Sequence, residues 1–150
     1  LEKGAASAQA RKIDPLVLTS ARLAPDMFAL TKQVQIACDM AKNGFARLSG
    51  VEAPKFEDTE TTFEQLQARI AKTIDFLRSV NPESLAGSEA KVISFPAGPE
   101  RTLKMKGDAY LTQWLFPNLY FHVVTAYNIL RHNGVDLGKM DYLQGADLLP

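Results

Sequence analysis

The apolar residues Met27, Leu30, Val34, Ala37, Ala41, Phe45 and Leu48 recur at steps of three and four. That spacing puts all seven on one side of an α-helix and leaves Lys32, Gln35, Asp39, Lys42 and Arg47 as its polar face. The segment therefore reads as a long amphipathic helix running from Asp26 to a stop at Gly50. Its stripe needs partners, and the rest of the chain supplies them.

Residues 1–12 are rich in helix formers and stop before Asp14-Pro15, where the residue preceding proline is pushed out of the helical region. The chain opens on Leu1 rather than Met, so this first helix is expected to have begun further upstream. Residues 15–24 read as a connector with one helical turn, and residues 51–60 as a surface loop. A third helix opens on Thr61-Thr62-Phe63-Glu64 as a capping box, buries Phe63, Leu66, Ile70, Ile74 and Leu77, and ends at Asn81-Pro82.

Two β-prone runs, residues 91–95 and 101–105, flank the five residues 96–100 and predict a hairpin that leans on the helices. Gly107-Asp108, with Asp108 as N-cap, opens a fourth long helix that closes on Arg131-His132-Asn133-Gly134, and one more turn is expected near Asp141. The fold class that follows is mainly α: a four-helix bundle with a small β-hairpin between the third and fourth long helices. It forms a single domain over residues 1–150. Alternating βα units, which would build a doubly wound sheet, are absent.

Charge narrows the function. Seventeen basic residues balance seventeen acidic ones, so no positive field gathers nucleic acid or an anionic membrane. The one cysteine, Cys38, has no internal partner for a disulfide and reads as a small buried hydrophobe in a reducing compartment. No run is apolar enough to span a bilayer or serve as a signal peptide, which makes a cytoplasmic protein the expectation. Gly-rich phosphate loops, GxSxG, HExxH and CxxC are all missing.

The candidate site lies in the fourth helix. Pro117 falls inside it, removing a backbone donor and forcing a kink or restart. Around it Leu111, Leu115, Asn118, His122, Thr125 and Ile129 share one face, so Asn118 and His122 point toward the bundle interior and need hydrogen-bond partners there. Gln33, one turn from both Leu30 and Ala37, can turn inward to meet them. His122 is the candidate catalytic residue, Gln33, Asn118, Thr125 and Asp26 line the expected ligand pocket, and Asp26 is placed at its mouth. His132 reads as a capping charge at the helix end. Trp114, Tyr120, Phe121 and Tyr127 form an aromatic group suited to a dimer surface.

The run from His122 to Arg131, HVVTAYNILR, followed by His-Asn-Gly-Val135 and Asp141-Tyr-Leu143, resembles the last-helix motif of the DinB-like (YfiT-like) bundle proteins. ARLAPDMF from Ala21, QVQIACD from Gln33, PKFED from Pro54 and RHNG from Arg131 look like an uncharacterised, domain-of-unknown-function branch of that superfamily. The resemblance implies a four-helix bundle, commonly dimeric, whose members often bind a divalent metal through one histidine on the second helix and an HxxxH pair on the last. Carried across, the ligand positions fall on Gln33, Asn118 and His122. Only His122 is an imidazole, and amide oxygens are weak ligands for zinc or nickel.

Two functions follow. One is a metal-dependent or metal-derived enzyme acting on a small molecule in a polar pocket around His122. The other is a non-catalytic homodimeric module, ligand-binding or stress-related, that kept the bundle and lost the metal. Neither needs nucleic acid or membrane.

Overall fold

The computed structural model of the protein describes residues 1–98 and 100–143. Pro99 of the hairpin connection and residues 144–150 of the expected tail lie outside the described residues. Helix α1 (Glu2–Ala10) leads into the short α2 (Pro15–Thr19), where the Asp14 carboxylate caps the Leu16 N–H at 2.9 Å. Pro15 occupies the first turn, where its missing donor costs nothing.

Helix α3 (Leu30–Ser49) is the centre of the bundle and packs on both α4 (Phe63–Ser79) and α6 (Phe116–His132). It starts later than its stripe suggests. Arg22 donates to the Met27 carbonyl at 2.6 Å and Gln33 Nε2 to the Phe28 carbonyl at 3.1 Å. Side chains thus take the acceptors that a further helical turn would have used, and Asp26 is left exposed on the entry turn. Gly50, at φ +82°, closes the other end.

Helix α4 (Phe63–Ser79) carries a capping box displaced by one residue from the expected Thr61/Glu64 pair. Thr62 Oγ1 accepts the Gln65 N–H, and Gln65 Oε1 accepts the N–H groups of Thr61 and Thr62. Thr62 is the last extended residue, so its hydroxyl faces the free donors of the first turn.

The polar face of α3 is not a wet face. Loop 51–61 folds over it, and Gln35 and Lys42 are buried. Arg69 of α4 is 2% exposed; it pairs with Asp39, Asp58 and Glu60 at 2.9–3.1 Å and donates to the Glu57 carbonyl. Lys42 donates to the Pro54 carbonyl at 2.8 Å, pairs with Asp39 at 3.2 Å, and lies over the Phe56 ring. Two buried cations are compensated by three carboxylates and two carbonyls, which is the condition for placing them there.

After two short turns (Pro82–Leu85 and Ser88–Ala90), β1 (Val92–Pro96) and β2 (Thr102–Lys106) pair antiparallel with Val92 opposite Lys106 and Pro96 opposite Thr102. Each strand sits one residue later than its sequence run. Ile93 and Phe95 point inward, and the Phe95 ring meets Tyr110 at 4.9 Å and Trp114 at 5.1 Å. The hairpin thereby caps a second core cluster with Leu48 and Leu115, while Leu30, Val34, Phe63, Leu66 and Ile129 belong to the main one.

The last long element runs without a break through α5 (Gly107–Ala109), a π-helical segment (Tyr110–Leu115) and α6 (Phe116–His132). Its N-cap is Lys106, so Asp108 lies inside the helix rather than capping it. Pro117 does not end the rod. The wider π turn just before it relieves the clash of the ring with the preceding carbonyls, and Asn118 Nδ2 donates to the Trp114 carbonyl at 2.7 Å. Gly134 at φ +81° and the one-turn α7 (Lys139–Tyr142) follow. No helix among the described residues is long and apolar enough to cross a membrane.

Candidate functional site

A cavity of about 420 Å³ lies between α3, α4 and α6, with Cys38 and Ala37, Ile70 and Thr73, and His122 and Tyr127 on its three walls. The apolar stripe of α4 explains it. Phe63 and Leu66 pack in the core, but Ile70, Ile74 and Leu77 of the same stripe line this space instead. Ile74, Val123 and Tyr142 are also exposed, so they mark where the cavity opens to solvent. Its volume falls in the range of small-molecule sites.

His122 enters from α6 and meets Gln33 of α3, with 2.7 Å between Nδ1 and the Gln33 amide oxygen. Gln33 is 1% exposed, and its other end is committed, since Nε2 donates to the Phe28 carbonyl. The atom presented to the histidine is therefore the acceptor oxygen, and Nδ1 must carry the proton. Nε2 is left with its lone pair and no hydrogen-bond partner among the described residues. Burial lowers the pKa of the ring, which favours this neutral form. Phe121 packs edge-on at 5.3 Å between ring centres.

The other expected site residues fare differently. Asn118 shares the half-buried face with His122, but its amide serves the backbone of its own helix. Thr125 is buried and its hydroxyl donates to the Phe121 carbonyl at 2.7 Å, so it too serves the helix. Asp26 does not line the cavity. His132 is exposed at the helix end. Of the aromatic group, Trp114 packs inward on Phe95 and Tyr127 lines the cavity, which leaves only Tyr120 and Phe121 strongly exposed.

Cys38, read from the sequence as a small buried hydrophobe, was not placed at the site, and Thr73 was missing from the sequence reading. Cys38 stands one turn from Val34 on the same stripe, which was the available signal. Burial pushes its thiol pKa up, against an opposing hydrogen bond with Thr73, so it is a neutral wall group.

The residues do not fit a divalent metal. The Gln33 oxygen is held on His122, the Asn118 amide on Trp114, and one imidazole remains. Among the described residues, no group of three or more His, Cys, Asp or Glu could hold a metal ion.

The family profile described as a domain of unknown function (DUF1993) matches residues 1–143. A crystal structure described as a DinB family member protein from Shewanella denitrificans has the same fold, with a TM-score of 0.91 and 43% sequence identity over 99% of this chain and 84% of that one. No curated protein matches the chain.

Proposed function

The chain belongs to the DUF1993 family of DinB-like helical bundles, and from that premise we propose that it binds a small, largely apolar molecule, without a metal, in the cavity beside His122. The observation that carries this reading is the 2.7 Å contact between Gln33 and His122. It spends the Gln33 oxygen that a metal would need at that position and leaves His122 Nε2 free on a largely apolar wall. The same neutral nitrogen is the form a general base requires, so turnover of a bound molecule would use the atom that holds it.

Titration with the neutral fluorophore N-phenylnaphthylamine tests the proposal. Saturable binding at one site per chain, lost when Ala126→Trp fills the cavity, is expected. Binding that survives the filled cavity, or no binding, would sink the idea. So would stoichiometric zinc or nickel in protein prepared without chelators, lost in His122→Ala.

A second copy of the chain is the proposed partner, and the outer face of α6 supports it. No residue between Asp108 and Arg131 carries a formal charge with His122 neutral, and Phe116, Tyr120, Phe121 and Val124 are 38–55% exposed. An uncharged apolar patch suits its own copy across a two-fold axis, where like charges would repel. Sedimentation velocity should show a dimer that Phe121→Glu dissociates. A wild-type monomer at micromolar concentration would end this reading.

A further inference from the structure

Resting on that binding reading, we infer that the ligand is a neutral, mainly apolar molecule carrying one hydroxyl or N–H group, which it donates to His122 Nε2, and that the cavity discriminates against carboxylates. The inference comes from accounting for each polar group on the wall. His122 Nδ1–H is spent on Gln33, which is itself held by the Phe28 carbonyl, so the ring cannot turn its donor toward the cavity without breaking that bond and orphaning the buried Gln33 oxygen. The Thr73 hydroxyl donates to the Arg69 carbonyl at 2.9 Å. The Asp141 carboxylate pairs with Lys3 at 2.6 Å and accepts the Gly138 N–H at 2.8 Å. Tyr127 and Tyr142 add phenols, which bring no positive charge. Nε2 has no partner among the described residues and, unlike the phenols, can only accept, and the complement of an acceptor is a donor.

Charge gives the other half. Among the described residues, no lysine or arginine lines the cavity. The nearby Arg69 is already matched by Asp39, Asp58 and Glu60. A carboxylate entering this space would lose its hydration and meet no lysine or arginine side chain among the described lining residues, a heavy cost for a buried anion. A hydroxyl loses little and gains one hydrogen bond, while the hydrocarbon remainder is covered by Ala37, Ile70 and Ile74.

Three ligands with one skeleton separate the possibilities when they compete with N-phenylnaphthylamine: hexylbenzene, para-hexylphenol and para-hexylbenzoate at neutral pH. The phenol should bind about three- to tenfold more tightly than hexylbenzene, the span of one ordinary hydrogen bond, and the benzoate should bind most weakly. In His122→Leu the phenol's advantage should vanish while hexylbenzene is unaffected. Nitrogen NMR provides a reading that needs no variant: the His122 Nε2 signal should shift on adding the phenol and stay put with hexylbenzene. Equal affinities for phenol and hexylbenzene, or a benzoate that binds best, would overturn the donor assignment while leaving the cavity as a binding site. Failure of all three to bind would overturn the cavity itself.

Discussion

Gln33→Leu isolates the contact on which the site depends. The substitution nearly preserves volume but removes both ends of the bridge, leaving the Phe28 carbonyl and the His122 Nδ1–H without partners. Each orphaned buried group costs about 1–3 kcal/mol. Both costs fall at the low end, because Phe28 is 55% exposed and His122 is half-buried beside the cavity, so water reaches each. Against that loss of about 2 kcal/mol, a leucine at a site 1% exposed recovers about 1.5 kcal/mol or more of apolar burial. The net change is close to zero, so urea unfolding is the wrong assay.

The tautomer is the right one. Nitrogen NMR of the wild type should show His122 protonated at Nδ1 and bare at Nε2. In Gln33→Leu the ring is released, and the Nε2–H form that predominates for histidine in water should return. Gln33→Glu supplies the complementary arm, since a carboxylate still accepts from Nδ1 and adds a charge that stabilises the imidazolium. His122 should then titrate at higher pH than in the wild type. A wild-type ring bare at Nδ1, or a tautomer indifferent to Gln33→Leu, would refute the reasoning that makes Nε2 the free acceptor.

Three further outcomes follow from the packing and charges. In Gly107→Ala the new Cβ would lie 1.8 Å from the backbone oxygen of Ser88; backbone cannot step aside cheaply, so the urea midpoint should fall by the equivalent of about 3 kcal/mol. Gly44→Ala, whose Cβ first meets the Leu115 methyls, at 2.4 and 2.6 Å, should lose less because a side chain can shift, and the reverse order would show that the Ser88–Ala90 turn is soft. Arg69→Met removes the buried cation that ties loop 51–61 to the bundle, at about 3–5 kcal/mol, or a melting temperature lower by roughly 6–20 °C at 2–4 °C per kcal/mol; a shift under 2 °C, at most about 1 kcal/mol on that scale, would mean the cluster is surface decoration. Acid should destabilise the fold in two stages. His122 is kept neutral by burial, so stability declines as pH falls below the unfolded value of about 6.5. Burial raises Asp58 and Glu60, but Lys32 and Arg69 outweigh it for Asp58, and a backbone hydrogen bond, Arg69 and Gln35 do so for Glu60. Both carboxyls therefore end below their ordinary values, and a second loss begins below pH ~4 as they protonate. Stability measured against pH in His122→Leu should lack the first decline only.

Periodicity made the bundle legible because each long helix buries one stripe, and three- and four-residue steps report a stripe directly. Its limits show on α3. Lys32, Gln35, Asp39 and Lys42 are polar, and polarity alone cannot distinguish a face turned to water from one turned to Arg69, Glu60 and a loop brought over from residues 51–61. That cover depends on pairing across separations of up to 30 residues in sequence, which no local pattern encodes. The start of α3 was misjudged for a related reason: Arg22 and Gln33 capture carbonyls that helical spacing assigns to the helix.

The site was legible as a face and not as a geometry. Helical steps place Asn118, His122 and Thr125 together, and so they lie, yet the three do different work. Pro117 cannot extend the normal backbone ladder and a π turn precedes it, and in that distorted turn the Asn118 amide bonds the Trp114 carbonyl. Thr125 binds back to Phe121. Only His122 looks outward from its helix, and there Gln33 decides its chemistry by donating one hydrogen bond to Phe28 and accepting another from Nδ1. The two amides, Gln33 and Asn118, thus each have an occupation the fold itself supplies. Restoring histidine at Gln33 alone would not rebuild a donor set, because Asn118 would still be held by the turn before Pro117. It would instead face His122 with a second ring and leave the Phe28 carbonyl to whichever nitrogen could reach it. The amide at Gln33 and the exposure of a neutral Nε2 to a largely apolar cavity are therefore one structural arrangement.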